Sequence, residues 1–149
     1  MMLSYLESVI ILPATVPGIK IGLSNLAVVF LLYRFGWKEA LAVNTARILL
    51  SSVLFGSLPG FLFSLSGAIL SFICMLIAKK VQGSSVVFVS MTGGLSHNIG
   101  QLFCAMIMFS KSILLYYLPV LLITGLITGA FNGVLSLAIL RRVPDNRQL

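Results

Sequence analysis

The chain of 149 residues is 59% hydrophobic and only 9% charged, with a formal net charge of +7 and a mean hydropathy of +1.12. Soluble domains carry about 25% charged residues, so this composition excludes an ordinary water-soluble fold and predicts an integral membrane protein. The basic balance does not point to nucleic acid, because the cations sit where hydrophobic runs end and form no basic face interleaved with aromatic residues.

Residues 1–12 are apolar apart from Ser4, Glu7 and Ser8. As a helix they would reach about 18 Å of a roughly 30 Å hydrocarbon core, which predicts a short first helix that does not span alone. The stretch lacks the basic start and small-residue cleavage site of a signal peptide. Residues 13–22 hold Pro13, Pro17, Gly18 and Gly22 and predict an ordered loop at the membrane face, with Lys20 as its only charge.

The second hydrophobic element covers residues 23–35 and ends at Arg34, Gly36, Trp37 and Lys38, a cationic and aromatic boundary suited to headgroups. Residues 39–55 form the third and place Asn44, Arg47 and Ser51 on one helical face. A tight turn at 56–60, containing Pro59, leads to the fourth at 61–78. There Gly60, Ser64, Gly67 and Ser71 make a small stripe fit for close helix contact, and Lys79 and Lys80 stop the run.

The fifth element, residues 86–109, contains the only histidine of the chain within a polar stretch, Ser90 to Gln101. At 100° per residue Ser90, Gly94, His97 and Gln101 fall within about 60° of one another, flanked by Gly93 and Asn98. Met91, Leu95, Ile99, Leu102 and Met106 lie opposite, on a face suited to lipid or packed helices. The sixth element, 113–140, carries Gly125, Gly129 and Gly133 as successive small-xxx-small steps near Asn132 and Ser136, with Pro119 expected to kink its start. A polar tail, 141–149, follows. The expected fold is therefore all-α, a single transmembrane domain over 1–149 built as a bundle of about six helices.

With six helices, Arg34, Lys38, Lys79, Lys80, Arg141, Arg142 and Arg147 fall on one side, against Lys20 and Lys111 on the other. The positive-inside rule puts the larger group, and with it both termini, in the cytoplasm of a multi-pass cell-membrane protein.

Arg47 lies mid-run, where an uncompensated charge costs at least about 2.5–3.5 kcal/mol. Three readings are open: an ion pair with Glu7, the one carboxylate outside the cytoplasmic loops and tail; a fork for a substrate carboxylate or phosphate; or snorkelling toward a polar cavity. His97, with Asn98 and Gln101, is either a ligand-binding or proton-relaying group or a helix-to-helix hydrogen bond. Asn25 either contacts ligand or caps the second helix. Lys20 is either a solvated interface charge or an anion ligand. The candidate binding set is thus Lys20, Asn25, Arg47, His97, Asn98 and Gln101.

No catalytic residue, cofactor or metal site is expected. Asp145, the sole aspartate, is in the tail, so the chain has no paired acidic motif for the Mg²⁺ of prenyl-diphosphate chemistry, no phosphate loop and no Ser/His/Asp set. One histidine and one membrane carboxylate are too few for a metal. Cys74 and Cys104 lack Cys-x-x-Cys spacing and are expected to be buried thiols.

Four blocks, Ser-Tyr-Leu-Glu-Ser from Ser4, Pro-Gly-Ile-Lys-Ile-Gly-Leu-Ser-Asn from Pro17, Gly-Trp-Lys-Glu-Ala from Gly36 and His-Asn-Ile-Gly-Gln from His97, carry a resemblance that runs over residues 4–129. The chain resembles the Gx transporter family, also described as heptaprenyl diphosphate synthase component I, whose fold is similar to that of the S components of energy-coupling-factor transporters. This resemblance implies two functions. One is a substrate-binding transport subunit in the lipid bilayer, with an outward-opening pocket for a small or amphipathic molecule, energised by a transmembrane coupling subunit and ATPase subunits. The other is a noncatalytic component of prenyl-diphosphate synthesis beside a prenyl synthase catalytic subunit. The topology has a direct check: a Gly83→Cys variant is expected to label from the cytoplasmic side, and labelling only from outside would invert the assignment.

Overall fold

The computed structural model describes residues 23–55, 58–109 and 112–143. These form five α-helices and no strand: α1 (Leu23–Arg34), α2 (Trp37–Phe55), α3 (Leu58–Lys80), α4 (Val86–Phe109) and α5 (Leu118–Arg142), with a 3-10 helix at Ser112–Tyr117 before α5. The expected helix at 1–12, the loop at 13–22 and with them Glu7 and Lys20 lie outside the described residues. Among the described residues two stretches are long and apolar enough to cross a membrane, Leu58–Lys80 and Leu114–Arg142. At 1.5 Å per residue α3 is about 34 Å long, which matches a hydrocarbon core. The 24 residues of α4 are as long, but its polar stretch around His97 lowers its hydropathy.

Proline moves two of the expected boundaries. Pro59 lies inside the first turn of α3, so the expected turn does not extend over 58–60, and Pro119 lies inside the first turn of α5, after a 3-10 turn. First-turn amides have no partner within the helix, so proline is tolerated there and removes no bond. Gly36 serves two helices at once. Its N–H donates to the Leu31 carbonyl (3.0 Å) at the end of α1 and its carbonyl accepts from Ala40 N–H (3.3 Å) at the start of α2. Its φ of 126° is one that residues with a Cβ rarely adopt.

The centre of the bundle is the layer α3–α4–α5, joined by glycines. A Cβ at Gly100 of α4 would lie 2.8 Å from the Ser66 carbonyl of α3, and one at Gly93 would lie 2.8 Å from Met75 Cγ. On the other side of α4, Gly94 meets the Gly125 carbonyl of α5, and a Cβ at Gly129 would lie 2.7 Å from Met91 Cα. Farther along, Gly133 meets Val87. The pairing of low with high residue numbers makes both contacts antiparallel. Gly67 and Ser71 of the α3 stripe meet α4 at Gly100 and Gly93, and the three glycines of α5 meet it along their whole spacing.

Against this layer, α1 packs mainly on α5 and α2, and α2 packs on α1 and α3. Ser136 Oγ of α5 donates to the Leu26 carbonyl (3.3 Å). The apolar cluster Val28, Val29, Leu32, Ala40, Phe72, Met75, Ala78 and Val89 fills the space between α1, α2, α3 and α4. Lys79 does more than stop α3. Its Nζ donates to the Leu32 carbonyl and sits 4.8 Å from the Tyr33 ring centroid, capping the C-terminus of α1.

Helix direction gathers Arg34, Lys38, Lys79, Lys80, Arg141 and Arg142 at one end of the bundle. Trp37 is exposed at this end, and Tyr116 and Tyr117 are exposed at the other, as aromatic residues are at two membrane interfaces. Between them Ile73, Phe103, Ile107, Ile123, Ile127 and Phe131 point outward.

Gly129→Val tests the central contact. Its branched side chain would drive Met91 and Ser90 away, and a loss of about 1–3 kcal/mol or more is expected. In contrast, a Cβ at Gly83 meets nothing within 4 Å, so Gly83→Ala has only its φ of 79° to oppose it, about 1–2 kcal/mol. Thermal unfolding in detergent compares the two, and an equal or smaller loss for Gly129→Val would refute the close-contact account.

Candidate functional site

The polar arc of α4 divides between two neighbours. His97 and Gln101 turn toward α3, where a Cβ at Gly67 would lie 2.9 Å from His97 Cε1 and 2.9 Å from Gln101 Cγ. Beside them Ser66 Oγ donates to the Gly100 carbonyl (3.1 Å) and to Phe63 O (3.0 Å). Asn98 turns the other way: its Nδ2 donates to the Leu121 carbonyl of α5 (2.7 Å) and reaches Thr124 Oγ1 at 3.4 Å. The single polar face expected from helical spacing is thus two half-faces, because α4 has a helix on each side of the arc. The apolar residues opposite are packed rather than lipid-exposed at Leu102, which is buried.

Arg47 is half-buried on α2, and its Nη2 donates to Asn44 Oδ1 (2.9 Å), one turn earlier on the same helix. Asn44 is buried, so the helix carries its own amide partner for the guanidinium. The alternative partner, Glu7, lies outside the described residues, as does Lys20. Asn25 is half-buried and already helical within the first turn of α1, so it is not the residue that caps that helix from outside. Among the described residues, Ser71 Oγ and Ser90 Oγ are buried with no hydrogen-bond partner. Cys74 and Cys104 are free and half-buried, more open than expected of core thiols. Among the described residues no three His, Cys, Asp or Glu side chains gather as a metal site.

Between α2 and α3 runs an open groove of about 180 Å³. Its floor is Asn44, Ile48, Ala68 and Phe72, all buried, and its rims are Leu41, Leu49, Ile69 and Ile73, all exposed. Apart from Asn44 and Thr45 the lining is hydrocarbon. Asn44 therefore has two roles, as a wall of the groove and as the acceptor for Arg47.

Such a bundle offers apolar surface, an apolar track and few ionisable groups, and it suits a long hydrocarbon ligand better than a polar reaction centre. A family model described as heptaprenyl diphosphate synthase component I matches residues 1–139. The chain belongs to that family. No curated protein and no solved structure matches it. Of the two functions implied by the four sequence blocks, membership of the component I family favours the one in prenyl-diphosphate synthesis.

The groove was not visible in the component I sequence. Its residues come from two helices whose relative rotation is set by packing, and Ala68 in an apolar run carries no local signal. The Lys79 clamp was missed for the same reason, since Leu32 is 47 residues away. Loss of the bond between α4 and α5 is measurable. Asn98→Leu is expected to cost about 0.6 kcal/mol, and at most about 1.7 kcal/mol, in thermal unfolding, the average and maximum for hydrogen bonds between membrane helices, and Thr124→Val less. An Asn98→Leu protein as stable as the parent would remove Asn98 from the account of helix contact.

Proposed function

We propose that this chain is a membrane-embedded, noncatalytic component of heptaprenyl diphosphate synthesis that works beside a separate catalytic subunit. The family match over residues 1–139 carries this reading. Chemistry supports the division of labour. Chain elongation of an allylic diphosphate needs paired carboxylates to hold Mg²⁺, whereas the acidic residues of this chain are Glu7, Glu39 and Asp145, far apart in sequence. The lengthening product is increasingly apolar, and a subunit with an apolar exterior would keep it beside the bilayer.

In this reading the chain spans the cell membrane as a bundle of about six helices with both termini in the cytoplasm. The cationic end, with Arg34, Lys38, Lys80, Arg141 and Arg142, then faces a cytoplasmic partner. A second reading, capture or transport of a solute in the manner of an S component, draws on the polar residues held inside an apolar bundle. It would use Arg47, His97, Asn98 and Gln101, with Lys20 and Asn25, as ligand contacts, and coupling and ATPase subunits as partners.

The test is purification of the tagged chain from its native membrane, followed by an elongation assay with an allylic diphosphate, isopentenyl diphosphate and Mg²⁺. The isolated chain is expected to give no product, and the preparation that retains its partners is expected to contain a prenyl synthase and to elongate. Elongation by the isolated chain would overturn the noncatalytic assignment. Retention of coupling and ATPase subunits with a small polar solute, identified by mass spectrometry, would favour transport.

A further inference from the structure

The groove between α2 and α3 is directional. Along α3 it extends from Phe61 to Ile73, about 18 Å at 1.5 Å per residue. The α2 wall runs the opposite way, so Leu41, at its start, lies toward the cationic end of the bundle. Helical spacing then carries both walls to a lysine. On α2, Lys38 continues the line of Leu41, Thr45 and Leu49 at steps of three, seven and eleven residues. On α3, Lys80 continues the line of Ile69 and Ile73 at steps of eleven and seven. Both lysines are exposed. Lys79 is not part of this pair, since its ammonium is held by the Leu32 carbonyl and the Tyr33 ring.

We propose that the α2–α3 groove binds one polyprenyl diphosphate, with its chain along the floor of Ile48, Ala68 and Phe72 and its diphosphate between Lys38 and Lys80. The prenyl identity of the chain rests on the reading of the protein as a component of prenyl-diphosphate synthesis; the amphipathic design of the groove does not. The lysines lie about 4.5 Å beyond Leu41 and about 10 Å beyond Ile73 along their helices, so a head anchored there leaves the hydrocarbon in the groove. Two ammonium groups complement a diphosphate as point charges. The track is a single groove between two helices. A chain that branches once per four-carbon unit can place its methyl groups between side-chain rungs separated by about one 5.4 Å helical turn.

The experiment uses the full chain in neutral phosphatidylcholine nanodiscs with a benzophenone-bearing farnesyl diphosphate analogue as photoprobe. Crosslinks are expected in the peptides covering 41–49 and 61–73, and unlabelled farnesyl diphosphate should compete for them. Ala68→Phe, which fills the floor, is expected to reduce labelling about tenfold. Ile69→Trp at the exposed rim is expected to reduce it in the same direction, and it serves if the floor variant does not fold. The double variant Lys38→Gln with Lys80→Gln should weaken labelling by the diphosphate probe about tenfold and leave labelling by the corresponding alcohol probe unchanged. The proposal is overturned if labelling is unaltered in the groove variants that fold, or if phosphatidylglycerol displaces the probe as well as farnesyl diphosphate does, which would mark an ordinary lipid contact. Elongation by the partner-retaining preparation is measured in parallel. Normal elongation with unaltered labelling would reject the groove alone, whereas the expected labelling without any associated synthase would reject the component reading and leave the groove in place.

Discussion

Two helices can bring their backbones into contact only where side chains are missing, and α4 does this on both sides. Gly93 and Gly100 admit α3, while Gly94, with Gly125 and Gly129 opposite, admits α5. In hydrocarbon there is no water to drive apolar helices together, so short-range dispersion and polar contacts must hold them. Close approach supplies both. It brings Ser66 Oγ within reach of the Gly100 carbonyl and Asn98 Nδ2 within reach of the Leu121 carbonyl. The placement of α1 and α2 follows from this layer, because their buried residues pack on surfaces that the layer creates.

Two described cations, Arg47 within the bundle and Lys79 at its end, are each placed beside an amide or a carbonyl. Arg47 has Asn44 on its own helix, and Lys79 has the carbonyl end of α1. Carbonyls near the end of a helix carry partial negative charge, so a cation there meets both a hydrogen-bond acceptor and a favourable dipole.

Features that depend on one helix at a time were legible in the sequence. The glycine steps of α5, Gly67 and Ser71 of the α3 stripe and the cationic ends all follow from local spacing, and the structure uses them as that spacing suggests. Features that depend on how two helices face each other were not. Ser90 to Gln101 has a correct helical arc, but periodicity assigns no neighbours, so it could not separate His97 against Gly67 from Asn98 against Leu121. Proline was misread at Pro59 because its effect depends on whether it falls in the first turn or later, and helix starts are poorly marked where no side-chain cap is present. The groove needed both the rotation of α2 and the smallness of Ala68, and only the assembled bundle supplies these together.

The glycine contacts also determine how the bundle can deform. Backbone atoms in contact resist sliding steeply, so α3, α4 and α5 form a stiff plate. By contrast, none of the described glycine contacts brings α2 against that plate, and a groove lies beneath part of its length. Its connection to α1 passes through Gly36, whose backbone torsions have the widest freedom of any residue type. Among the described helices α2 packs on α1 and α3 alone, so the width of the α2–α3 track is the dimension that a shift of this helix changes first.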